Sequence, residues 1–154
     1  MALYRALVLL STGRKALLPT GDTLAGPVQD VEGFDAQAKV ILSAGMAVYI
    51  SAALQVLKAS ASADATATVI GLASAAAALD ATVMIRTDGV FFLADWTLAA
   101  GTATLTVGAD YFLSATAGLL TTTPPVTGSV VLIGRAVSTT RLQLTIDTPV
   151  KLAV

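Results

Sequence analysis

The feature that most constrains this chain is a gapless internal repeat. Gly108 and Gly45, Ser114 and Ser51, and Gly134 and Gly71 are each 63 positions apart. Leu105/Leu42, Ala115/Ala52, Leu120/Leu57, Ile133/Ile70 and Ala136/Ala73 fall on the same offset. The matched stretches, 42–75 and 105–138, share a layout: an apolar extended run, a turn, a short strand, a polar break, then an apolar run closing on glycine. Short β-type runs separated by turn signals at intervals of about 8–12 residues indicate a sandwich or barrel. The expected fold is therefore all-β, a sandwich or barrel of two pseudo-repeated β units carrying an N-terminal hairpin and arm.

The individual runs support this. Residues 2–18 read as a hairpin that turns at Ser11-Thr12-Gly13. Residues 19–37 hold Pro19, Pro27 and three glycines, and read as an extended linker, because so long a loop is unusual inside a compact domain. The predicted division is an arm over 1–37 and a β domain over 38–154. Within the domain, strands are expected at Ala38–Leu42, Met46–Ser51, Leu54–Lys58, Thr68–Ala73 and Thr82–Arg86. Asp88-Gly89 is a hairpin signal, so Val90–Leu93 is expected to pair back on Thr82–Arg86. Ala94–Thr104 is a connector. Arg141–Ile146 and Val150–Leu152 complete the strands, and Ala75–Leu79 is expected to form a bend or a short helical turn.

Composition narrows the chemistry. Of 154 residues, none is cysteine or histidine, which excludes disulfides, thiolate and imidazole ligands and any histidine base. The chain is 55% hydrophobic but only 5% aromatic, so its core is built of small residues. Such a core packs in thin layers and suits strands, repeat contacts or subunit interfaces. Nine basic and ten acidic residues, without a like-charge run, offer no surface for phosphates, so no nucleic-acid partner is expected. The run Ala6–Leu10 is too short for a leader's apolar region. Glycine, threonine and Pro124-Pro125 interrupt the longer apolar stretches, so no membrane span is expected.

Several residues could carry chemistry, each with a plainer role beside it. Asp22, Asp30, Glu32 and Asp35 gather carboxylates for calcium, but the loop spacing of a calcium site is absent and Pro27 interrupts. They read as a solvated acidic linker. Asp80 and Asp88 flank Arg86 and read as turn residues with a surface ion pair. Gly71 and Gly134 follow apolar strands without a phosphate-loop pattern, and read as points of close strand approach. Ser51 and Ser114 lack a base and read as hydroxyls bonding the following turn. Trp96, Phe91, Phe92 and Tyr111 could form a sugar platform, but aromatics more often serve core or interface. No catalytic residue, cofactor site or metal site is expected, and the chain is not read as an enzyme.

Two strings carry a resemblance. Leu17-Leu18-Pro19-Thr20-Gly21-Asp22-Thr23-Leu24 looks like a segment common in structural proteins of tailed phages. The pattern from Gly108 through Tyr111-Phe112-Leu113-Ser114, Gly118-Leu119-Leu120-Thr121-Thr122-Thr123-Pro124-Pro125 and Val131-Leu132-Ile133-Gly134-Arg135-Ala136 to Leu142 is similar to a β module of phage capsid-decoration proteins and of tail-fibre or baseplate proteins. The resemblance implies a trimeric, non-enzymatic virion component on the capsid surface, clamping neighbouring major capsid subunits. The alternative location it implies is the tail, with tail proteins or a host surface glycan as partner.

Overall fold

A computed structural model describes residues 7–9, 15–17 and 33–153. The chain is all-β, with fourteen strands and two helical turns among the described residues. Leu7–Leu9 (β1) and Lys15–Leu17 (β2) pair antiparallel with Val8 opposite Ala16, in the segment where a hairpin is expected.

Five strands form a closed barrel: Gly33–Ala38 (β3), Ala47–Ala52 (β4), Gln55–Lys58 (β5), Gly71–Ala73 (β6) and Thr82–Arg86 (β7), in the order β3-β5-β4-β6-β7. A one-turn helix, Asp64–Ala67 (α1), interrupts the β5–β6 connection. Alternation decides which side chains point inward: on β7, Val83 and Ile85 are buried while Thr82 and Met84 are exposed. Val48, Val56, Leu42, Ala73 and Ile85 fill the interior.

A second five-stranded sheet follows: Val90–Phe92 (β8), Asp110–Leu113 (β9), Leu120–Thr121 (β10), Leu132–Ser138 (β12) and Arg141–Leu144 (β13), in the order β10-β9-β12-β13-β8. The short pair Ser129–Val130 (β11) and Val150–Lys151 (β14) lies outside it. The second sheet repeats the first in strand order, and the registers of β4–β6, β6–β7 and β3–β7 recur in β9–β12, β12–β13 and β8–β13, while β9–β10 is shifted by one residue from β4–β5. Adding 63 to the partners Ala47 and Leu72 gives Asp110 and Arg135, which are partners; adding 63 to Val48 and Gly71 gives Tyr111 and Gly134, also partners. The outer strands follow a different offset. Adding 57 to the partners Phe34 and Ile85 gives Phe91 and Leu142, again partners. The difference, 63 − 57, is a six-residue lengthening between β8 and β9, cancelled by a six-residue shortening between β12 and β13. The lengthened connection carries Trp96 and a helical turn, Thr97–Ala100 (α2), packed near β10.

The copies differ in closure. In the first, β3 and β5 join in parallel through Gln37↔Gln55 and Ala38↔Val56. In the second, β8 and β10 are not joined. The chain leaves β8 at Leu93 for α2, and Trp96, fully buried and edge-on to Phe91 at 5.7 Å, fills that side of the core.

Two expectations are corrected. Val90–Leu93 does not pair back on Thr82–Arg86: β8 pairs with β13, because barrel closure gives both edges of β7 to β3 and β6. Asp88-Gly89 is the joint between copies, with Asp88 Oδ1 accepting from the Gly89 N–H at 2.6 Å. The linker expected through Gln37 ends sooner. Gly33–Gln37 belong to β3, where a Cβ on Gly33 would lie 2.3 Å from the Ile85 carbonyl oxygen. The glycine that looked like linker punctuation is there for close strand approach. Ala75–Leu79 bends as expected, touching Leu42 through an isolated bridge at Ala77.

Candidate interaction surface

The residues singled out for chemistry are dispersed. Asp22, Asp30 and Glu32 lie outside the described residues, and Asp35 stands exposed on β3. No group of three or more potential metal ligands exists among the described residues. Asp80 pairs with Lys39 instead of Arg86. The Arg86 Nε is buried without a partner among the described residues. Ser51 Oγ donates to the Gln55 carbonyl at 3.4 Å, and Ser114 Oγ accepts from the Thr116 N–H at 3.1 Å, both bonding the following turn as expected.

Gly71 and Gly134 are points of close approach in both copies. A Cβ on Gly71 would lie 2.4 Å from the Arg86 carbonyl oxygen, and one on Gly134 would lie 2.1 Å from that of Gln143. Arg86 and Gln143 correspond at the outer-strand offset of 57, so the same contact is built twice.

The aromatic residues do not form a platform. Trp96, Phe91 and Tyr111 are buried, and the Tyr111 hydroxyl accepts from the Thr106 N–H at 2.9 Å. Only Phe92 is open, with the Arg141 guanidinium 6.0 Å above its ring. One open cleft of ≈ 270 Å³ lies beside the β3–β5 seam, lined by Asp35, Gln37, Leu54, Gln55 and Thr82 among others, and holds a single carboxylate.

What sequence reasoning missed is the weld between the copies. The segment Ala59–Ala61 is buried and threads between them. Gly118 N–H donates to the Ala59 carbonyl at 2.7 Å, Ala61 N–H to Ser114 at 3.0 Å, and Ser129 N–H to Ala61 at 2.9 Å. Backbones approach this closely only if the side chains are small, which is where the alanine content goes. Beside the weld, buried Ser129 donates Oγ–H to Asp64 Oδ1 at 2.7 Å, and Lys151 Nζ lies 2.7 Å from Asp64 Oδ2. Asp64 and Ser129 are 65 positions apart, and no spacing rule links them.

The Lys151 hydrogen bond, then the one from Ser129, hold the Asp64 carboxyl below its ordinary range. A carboxylate whose pKa is depressed by folding stabilises above its unfolded value, about 3.9, and that contribution is lost as pH falls toward the folded value. The stability advantage of wild type over Asp64→Asn should therefore be present at neutral pH and shrink once pH falls below about 4. Urea melts of both proteins across that range check it; an advantage independent of pH would show that the triad carries no linkage.

The other prominent surface property is apolar. Twelve large hydrophobic side chains are exposed among the described residues, including Ile41, Val90, Phe92, Leu98 and Val126. No helix is long and apolar enough to cross a membrane among the described residues. No protein-family model and no curated protein matches the sequence.

Proposed function

We propose that this protein is a structural component of a tailed-phage virion, a capsid decoration protein that stabilises the head by bridging major capsid subunits. The observation that carries this reading is a doubled β unit, a closed barrel and an open sheet welded through backbone hydrogen bonds, that leaves many large apolar side chains on its surface. Exposed apolar side chains supply sites of association where they lie in a contiguous patch, and obligate assemblies are more apolar at their contacts than ordinary surfaces. The resemblance of the stretch 108–142 to phage β modules supports the same reading and implies a trimer. The protein acts by binding, without catalysis, nucleic acid or membrane, and repetition over a symmetric shell multiplies weak contacts into avidity.

Purified protein added to undecorated capsids should occupy them in hundreds of copies, on the order of the shell's own symmetry, and raise their melting temperature. A shell that stays bare rules the reading out. The string Leu18–Leu24 favours a second reading, a tail or baseplate adaptor, for which labelling would concentrate at the tail. The fully buried Trp96 leaves a glycan platform without its main ring.

A further inference from the structure

Among the described residues, β8 has a partner strand on one side only. On that side the bonded positions alternate: Leu93 N–H donates to the Thr140 carbonyl and Leu144 N–H to the Gly89 carbonyl. Antiparallel geometry then turns the N–H and C=O groups of Val90 and Phe92 away from β13, out of the sheet edge. Their side chains are 42% and 60% exposed.

The first copy supplies an internal comparison. Subtracting 57 from Val90 and Phe92 leads to Gly33 and Asp35 on β3, whose backbone groups also face away from their partner β7. There the edge carries no side chain at one position and a charge at the other. An edge charge is a recognised guard against strand addition. The second copy has lost that guard, and no charged residue lies between Gly89 and Ala94.

We propose that the open edge of β8 is the docking site for β8 of a second copy, antiparallel about a two-fold axis through Phe91. The edge is self-complementary. Val90 faces Phe92 of the partner subunit, each such pair exchanging both backbone bonds, while the two Phe91 residues form the closer unbonded pair. Charge agrees with this occupant. The pairing residues Val90–Phe92 are uncharged, and Asp88 and Asp95 of each copy lie beyond them, so no carboxylates meet within the seam. Closure onto β10 within the chain, as β3 closes onto β5, is not open to β8 because the chain departs at Leu93 into α2. The seam does not depend on the virion reading; in a three-fold assembly it would join trimers in pairs.

Sedimentation equilibrium on the full chain and on a Val90→Lys/Phe92→Lys variant tests this. The wild type should be an even-numbered oligomer, and the variant should have half its mass with unchanged circular dichroism, since lysines then face each other across the seam. Hydrogen exchange gives a reading without substitution. The Val90 and Phe92 amides should be protected in the wild type, increasingly so with concentration. A monomeric wild type, a mass the variant leaves unchanged, or fast exchange at both amides overturns the proposal. So does protection independent of concentration, which would mean that a segment of the same chain covers the edge.

Discussion

Gly134→Val should lower the stability of the fold by about 3 kcal/mol or more, the upper range of overpacking effects, and the melting temperature by about 10 °C for a domain of this size. The cause is backbone against backbone. A Cβ at this position would lie 2.1 Å from the Gln143 carbonyl oxygen and 3.0 Å from its carbon, so β12 and β13 must separate where they pair as Gly134↔Leu144. No rotamer relieves this, because the obstructing atoms belong to the neighbouring strand. Gly71→Val should do similar damage in the first copy, against the Arg86 carbonyl at 2.4 Å. Thermal melts of both variants beside wild type check it. A shift of only one or two degrees would mean that the β12–β13 register differs from the one described.

Trp96→Ala should cost about 3–5 kcal/mol, the usual range for emptying a large buried aromatic site. The indole is fully buried, meets Phe91 edge-on, and stands on the side of the second sheet that no strand closes among the described residues. Trp96→Phe should recover most of that loss. Its ring still fills the site, and the substitution removes an indole N–H that is buried without a partner among the described residues, a group that is costly to leave unbonded. Denaturant unfolding of wild type and the two variants checks the order. If alanine and phenylalanine were equally damaging, ring packing would not be what holds the open side together.

Legibility in the sequence followed the kind of information each residue holds. The inner strands could be read because glycines punctuate them for backbone reasons. Gly45 and Gly108 take positive φ, +82° and +81°, at corresponding turns, and Gly71 and Gly134 admit a neighbouring strand. Those requirements act locally, so both copies keep them at one offset. The outer strands could not be aligned this way. Phe34 and Phe91 correspond, as do Ile85 and Leu142, but the six-residue change on each side of the inner core moves them to an offset of 57. Asp88-Gly89 misled for a related reason. The dipeptide specifies a turn, while the strand that the chain then meets depends on which edges remain unpaired. Ser129, Asp64 and Lys151 come together only because β11 returns to the weld between copies.

By itself the sequence determined that this chain forms two copies of one all-β unit, and where its inner strands begin and end. Period-two alternation and glycine placement are properties of a few consecutive residues. Only the tertiary structure decided that the first copy closes into a barrel, that β8 and β10 of the second are not joined, and that among the described residues β8 pairs on one side only. Strand pairing is a competition for free edges among segments far apart in the chain, and its outcome is fixed only when all of them pack together.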